Sequence, residues 1–262
     1  MTKLNVVYQC CDLPGSEEQS VAQLQRLMAT ELGTRADIYV SLNGDITKFL
    51  TLAQSLSGYS NVRLCHTSDR SDLMEYPALM LVKDIADRTE QEEYIMYFHL
   101  KGITHKGHQG IHDWREYMEY WTIDQWQENV QLLDQGYETC GTNYIDVPFM
   151  GADLKTRDWP HYSGGFWWAR TSYIKRLKPL PHPDSYVMGS VSEYTGYTID
   201  KNLYRFDHEA WIASGNPVWA EVSNTLGGRS GYPGWHYHHR YPVGSYSLTH
   251  NRYITPIFQP PV

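Results

Sequence analysis

A chain of 262 residues, 41% of them hydrophobic, is long enough to bury a sizeable core, and its patterning favours one large domain over two small ones. The formal net charge of −8, from 22 basic and 30 acidic residues, argues against a nucleic-acid backbone as the main partner, because such binding leans on clustered Lys and Arg. No apolar run reaches membrane-spanning length and the first strand pattern carries no basic, apolar leader, so the expectation is a cytoplasmic protein without a membrane span.

The first hundred residues alternate strand and helix signals: strands at 4–11, 36–42, 61–66 and 94–100, helices at 16–32, 48–56 and 76–88. That order predicts a parallel sheet with right-handed crossovers, a Rossmann-like layer whose ligand edge follows residues 11, 42, 66 and 100. Ser16 with Gln19 reads as a capping box, Val21, Leu24, Leu27 and Met28 recur at helical spacing, and Gly33 offers a C-terminal cap. No GxGxxG or P-loop follows any strand, which argues against a dinucleotide or ATP-hydrolysing site. The fourth strand ends abruptly in His99-Leu100-Lys101-Gly102, placing a histidine and a lysine where an open α/β sheet receives its ligand, and so towards an anionic, phosphate-bearing one.

After a Gly- and His-rich loop, 102–112, Trp114, Tyr117, Met118 and Trp121 share one helical face and read as core, and Thr122 with Gln125 reads as a second capping box. His105, His108 and His112 read as solvated loop histidines. Beyond Gly136 come short strands and irregular loops, notably 138–147 and 161–170, and from Thr225 onward the chain is rich in Gly, Pro, Tyr and His with little periodicity. Cys10, Cys11, Cys65 and Cys140 have neither CxxC spacing nor the density of a disulfide framework and are read as reduced, packed thiols. The 9 Trp and 21 Tyr exceed what such a core needs, and these amphipathic rings suit stacked, hydrogen-bonded recognition of a sugar or a protein surface.

At Glu75-Tyr76-Pro77-Ala78-Leu79, at Tyr97-Phe98-His99-Leu100-Lys101-Gly102, at Trp114-Arg115 and at His161-Tyr162-Ser163-Gly164-Gly165-Phe166-Trp167-Trp168-Ala169, the chain resembles a family of bacterial and large-virus glycosyltransferases of GT-A type. The resemblance covers roughly residues 1–215. It implies a single GT-A-like, Rossmann-like α/β domain with a mostly parallel central sheet over 1–224. Residues 1–102 would form the nucleotide-sugar half and 103–224 the acceptor half, with 225–262 an irregular extension wrapping the domain. The implied activity is transfer of a sugar from a nucleotide-sugar donor, a UDP-sugar favoured, to a hydroxyl of a glycan or glycoconjugate, in the host cytoplasm if the chain is viral.

GT-A enzymes commonly carry an Asp-x-Asp that holds Mg²⁺ or Mn²⁺ against the donor diphosphate, and the equivalent place here reads His99-Leu100-Lys101. A lysine can neutralise departing diphosphate directly, so no metal is obligatory, and Mn²⁺ or Mg²⁺ held by Asp69 or Asp72 with one of His236, His238 and His239 is the rival. The donor pocket is expected from Tyr8, Gln9 and Cys10, from Asn43 and Asp45, and from Asp69, Arg70, Asp72, Glu75, Tyr76, His99 and Lys101, although the acidic residues at 72–75 equally suit a helix N-terminus. Ser163, Gly164 and Gly165 would floor a sugar site, with one of Trp167 and Trp168 stacking on sugar and the other entering the core. An inverting transfer needs a base, for which Glu209 is the first choice and Asp207 the second, with Asp153 and Asp158 further candidates; a retaining route would need none. A non-catalytic, lectin-like sugar binder is the alternative, and a nucleotidyltransferase, which would want a Gly-rich basic loop after the first strand, ranks last.

Overall fold

The chain was described as a computed structural model, which covers residues 2–105, 109–145, 159–200 and 204–222 together with the short strands 149–150, 156–157, 246–247 and 252–253. Seven strands form the central sheet: β1 (Lys3–Cys11), β2 (Asp37–Asn43), β3 (Val62–Ser68), β4 (Glu93–His99), β5 (Thr139–Gly141), β6 (Trp167–Arg170) and β7 (Trp219–Glu221). Their order is β7-β5-β6-β4-β1-β2-β3. β1 to β4 run parallel, β6 lies antiparallel between β4 and β5, and β7 pairs in parallel with β5. This is an α/β architecture with a mostly parallel sheet. Residues from both expected halves enter the same sheet.

Alternation along the strands explains the two cores. Leu4, Val6, Tyr8 and Cys10 of β1, with Tyr94, Met96 and Phe98 of β4 and Trp168 of β6, face a layer built from α1 (Ser16–Met28), α2 (Glu31–Arg35), α3 (Leu50–Leu56), α5 (Gln109–Glu119) and α6 (Trp126–Asp134). Val7, Ile95, Tyr97, Trp167 and Ala169 face the opposite layer of α4 (Tyr76–Arg88), α7 (Thr171–Arg176) and α8 (Arg205–Trp211). A strand buried on both faces tolerates few polar residues, which is why the apolar runs of β1 and β4 were so plain in the sequence.

Several expected boundaries move. The helix predicted over 16–32 breaks after Met28 and restarts as α2, with the Thr30 side chain capping Gly33 N–H. Gly33 lies inside α2 and is not a C-terminal cap: a Cβ there would meet the Leu27 carbonyl oxygen at 2.5 Å, so the glycine permits close packing of α2 on α1. Gly15, at φ 82°, occupies the N-cap of α1, while Ser16 Oγ accepts from Leu13 N–H instead. Thr122 lies within a π-helical turn, Tyr120–Asp124, where its hydroxyl donates to the Met118 carbonyl, so the second capping box does not form. The strand expected over 161–170 divides into His161–Tyr162, paired with Tyr144–Ile145, a turn through Ser163–Gly165, and β6. Cys10, Cys11 and Cys140 are buried free thiols, and Cys65 is half-buried. No helix among the described residues is long and apolar enough to cross a membrane.

Candidate functional site

The carboxyl end of β4 and the start of α4 bring the predicted residues His99 and Glu75 together. His99 leaves β4 on the face of Tyr97, towards α4, and its Nδ1 lies 3.2 Å from Glu75 Oε1. Tyr97 Oη donates to Glu75 Oε2 at 3.1 Å. His99 Nε2 donates to the Gly164 carbonyl at 2.8 Å, so both ring nitrogens face oxygen acceptors. With 18% and 11% of their side chains exposed, Glu75 and His99 form a mostly dry pair that still borders solvent. Burial would raise the Glu75 carboxyl, but His99, then His208 and Lys101, outweigh it and hold it at about 2.

The Ser163–Gly165 turn has glycines for steric reasons. Gly164 and Gly165 adopt φ 98° and 72°; a Cβ on Gly164 would collide with Met118 Sδ, and one on Gly165 would stand 3.1 Å from His99 Nε2. The turn is thus pinned between α5 and the Glu75–His99 pair. Trp167 and Trp168, just beyond it, are 2% and 0% exposed. Trp167 stacks on Tyr97, and Trp168 Nε1 donates to the Thr122 carbonyl at 3.0 Å. Neither ring offers a face to solvent, so the expected sugar floor reduces to the backbone of 163–165.

Lys101 lies two residues past His99 and turns to the α5 side, its Nζ 4.4 Å from the centroid of the Trp114 ring. Its backbone is held by Gln19 Nε2 and Arg115 Nη1, which donate to its carbonyl at 3.1 and 3.3 Å. Among the described residues no carboxylate lies within salt-bridge distance of Lys101 Nζ, so this charge is not spent on an ion pair.

The other expected donor residues divide. Gln9 Nε2 and Asn43 Nδ2 donate to the Met74 carbonyl at 3.2 and 3.1 Å, bracing a non-glycine residue at φ 50° immediately before Glu75. They therefore aim Glu75. Tyr8 faces the opposite core, where its hydroxyl donates to Gln23 Oε1 and its ring packs on Phe98. Arg70 is engaged by Asp72 and Asp184, Asp45 caps a 3₁₀ turn, and Asp69 lies beside His66, so these residues act here as turn and loop ties.

On α8, Asp207 accepts from Ser192 Oγ at 2.6 Å and Thr195 Oγ1 at 3.1 Å and anchors the loop before the helix. Glu209 is half-buried. Between them His208, 3% exposed, packs against the rings of Tyr76 and Tyr204 at 6.3 and 6.0 Å, and its Nε2 has no hydrogen-bond partner among the described residues. Burial lowers it to about 4, with Glu75 pulling the other way. Sequence reasoning gave His208 no role; its only signal was its place in an Asp-His-Glu triplet at a helix start.

Tyr76 also meets His182 edge-on at 5.2 Å, and Tyr204 Oη donates to the Asp72 carbonyl. Beside them a groove of about 420 Å³ runs between the end of β3 and α4, lined by Thr67, Ser68, Leu73, Tyr76, Pro77 and His182. Among the described residues no three His, Cys, Asp or Glu side chains gather as a metal site. Asp153, Asp158, His108, His236, His238 and His239 lie outside the described residues, as does most of the expected 225–262 extension.

Residues 16–218 match a family model described as a domain of unknown function, DUF8361. No curated protein matches the chain.

Proposed function

The chain belongs to the DUF8361 family over most of its length, and we propose, from its site, that it is a GT-A-like glycosyltransferase moving a sugar from a nucleotide-sugar donor, a UDP-sugar by preference, to a glycan or glycoconjugate hydroxyl with inversion. The observation that carries this reading is Lys101: a cation without a carboxylate partner among the described residues, at the carboxyl edge of a mostly parallel sheet, beside a largely buried His99–Glu75 pair. Such a cation meets the charge that grows on a departing diphosphate. The ring of Trp114 beneath Nζ adds steering without neutralising it. Gln9, Asn43 and the strained Met74 aim Glu75, Glu75 and Tyr97 orient His99, and His99 holds the glycine turn, so the sugar-facing backbone is preorganised.

The lectin-like alternative draws on the Trp and Tyr surface as a whole, and the burial of Trp167 and Trp168 takes these two rings from either reading. The test is a thermal-shift screen of the purified chain against UDP-, GDP- and dTDP-sugars, each with EDTA or Mn²⁺. A ligand that binds only the folded state raises the melting temperature, by an amount set by its concentration over Kd. The expected outcome is a shift with one nucleotide class that survives EDTA and disappears in Lys101→Ala. No shift with any nucleotide sugar, alongside a shift with free oligosaccharides, would replace the transferase by a sugar binder.

A further inference from the structure

We propose that His208, rather than a carboxylate of α8, is the group that takes the acceptor's proton; this rests on the sugar-transfer reading above and assigns its base. A buried nitrogen without a partner is costly, because a polar atom withdrawn from water without a replacement hydrogen bond forfeits its hydration. Nε2 of His208 is such an atom, in a residue 3% exposed. Tyr76 and Tyr204 flank the ring, and Glu75 is the charged group that acts on it. Tyr76, against which the ring packs, directly follows Glu75, and Glu75 lies 3.2 Å from His99 Nδ1, so His208 stands beside the Glu75–His99 pair at the end of β4.

Its α8 neighbour Asp207 accepts from Ser192 and Thr195 through Oδ1 and interacts with the Tyr186 hydroxyl, although its Oδ2 is also buried without a hydrogen bond among the described residues. Burial keeps the ring neutral down to about pH 4, so the unprotonated form that a base requires is present throughout the neutral range. In the step, the acceptor hydroxyl's proton passes to His208 Nε2 as its oxygen bonds the anomeric carbon. The bond from that carbon to the donor diphosphate breaks, and its electron pair leaves on the diphosphate oxygen, whose charge Lys101 meets.

The test compares wild type, His208→Gln and Glu209→Gln, with UDP-glucose, UDP-galactose, UDP-N-acetylglucosamine, GDP-mannose and dTDP-rhamnose as donors and a panel of p-nitrophenyl glycosides as acceptors. Donor Kd, donor hydrolysis and sugar transfer are read separately. The expected result is that His208→Gln binds donor within about twofold of wild type but transfers roughly 10²–10⁴-fold more slowly, and that imidazole restores part of the transfer in His208→Ala. Wild-type transfer rates in His208→Gln, or loss of transfer in Glu209→Gln alone, would overturn the assignment and leave the transferase intact. A wild-type chain that neither binds nor consumes any donor would overturn the transferase itself. Should the His208 variants fail to fold, ¹⁵N-histidine NMR of the wild type decides: the Nε2 resonance of His208 must move when acceptor joins the donor complex, and a fixed resonance rejects the contact.

Discussion

The ammonium of Lys101 rests over Trp114 and forms no ion pair among the described residues, so its removal forfeits little more than a cation–π contact of about 0.5–1 kcal/mol. Lys101→Ala is therefore expected to melt within about 4 °C of wild type while turnover falls at least 10²-fold. A large melting drop would make the lysine structural. Two buried groups set opposite slopes on stability. His208, at about 4 in the fold against 6.5 when unfolded, makes the unfolded chain the better proton binder between those values, so stability falls as pH drops through that window. Glu119 is pushed up from the usual carboxylate range by burial, against the pull of Arg26 and with help from Glu116. Above that range the folded chain binds more protons, and this group makes stability fall as pH rises. Urea midpoints measured across pH 4.5–7 should gain more, or lose less, with rising pH in Glu119→Gln than in wild type; parallel curves would reject this account. His99 and Lys101 were legible in the sequence because a strand of apolar residues ends on them. The unpartnered nitrogen of His208 was not, because its isolation depends on what packs around it.

At the scale of elements, the turn between His161–Tyr162 and β6 illustrates why a motif can be read correctly in place and only partly in purpose. Ser163-Gly164-Gly165 stood out as a close-approach segment, but what approaches is a clamp of the protein's own side chains, His99 on one side and Met118 on the other. Gly165→Ala forces a side chain into φ 72° and within 3.1 Å of His99 Nε2, and should cost roughly 1–3 kcal/mol. Gly58→Ala, where a Cβ meets nothing within 4 Å, is the matched control and should melt like wild type. Equal melting of the two variants would show that the turn relaxes freely. The helices tell the same story. The apolar stripe from Val21 to Met28 named α1, yet its end was set by a packing glycine and a threonine cap that lie beyond the stripe.

For the whole molecule, strand order predicts where stability resides. β1 and β4 sit between neighbours on both sides and are buried on both faces, whereas β3 is an edge strand with several exposed residues. Native-state hydrogen exchange should therefore find the slowest amides in β1 and β4 and early exchange along the open side of β3; uniform protection across the sheet would contradict this hierarchy. The sequence by itself determined the α/β class, the parallel first half and the charged end of β4, since each is written in a local pattern: short apolar runs in the doubly buried strands, period 3.6 in helices, and a break where charge begins. It could not place β5, β6 and β7, which have 3, 4 and 3 residues and too short a pattern to announce a partner. Only the tertiary structure decided that β6 enters antiparallel beside β4. That register brings Gly164 to His99, the packing of α4 and α8 brings Tyr76 and His208 together beside Glu75, and such meetings follow from long-range pairing and close packing that no local window contains.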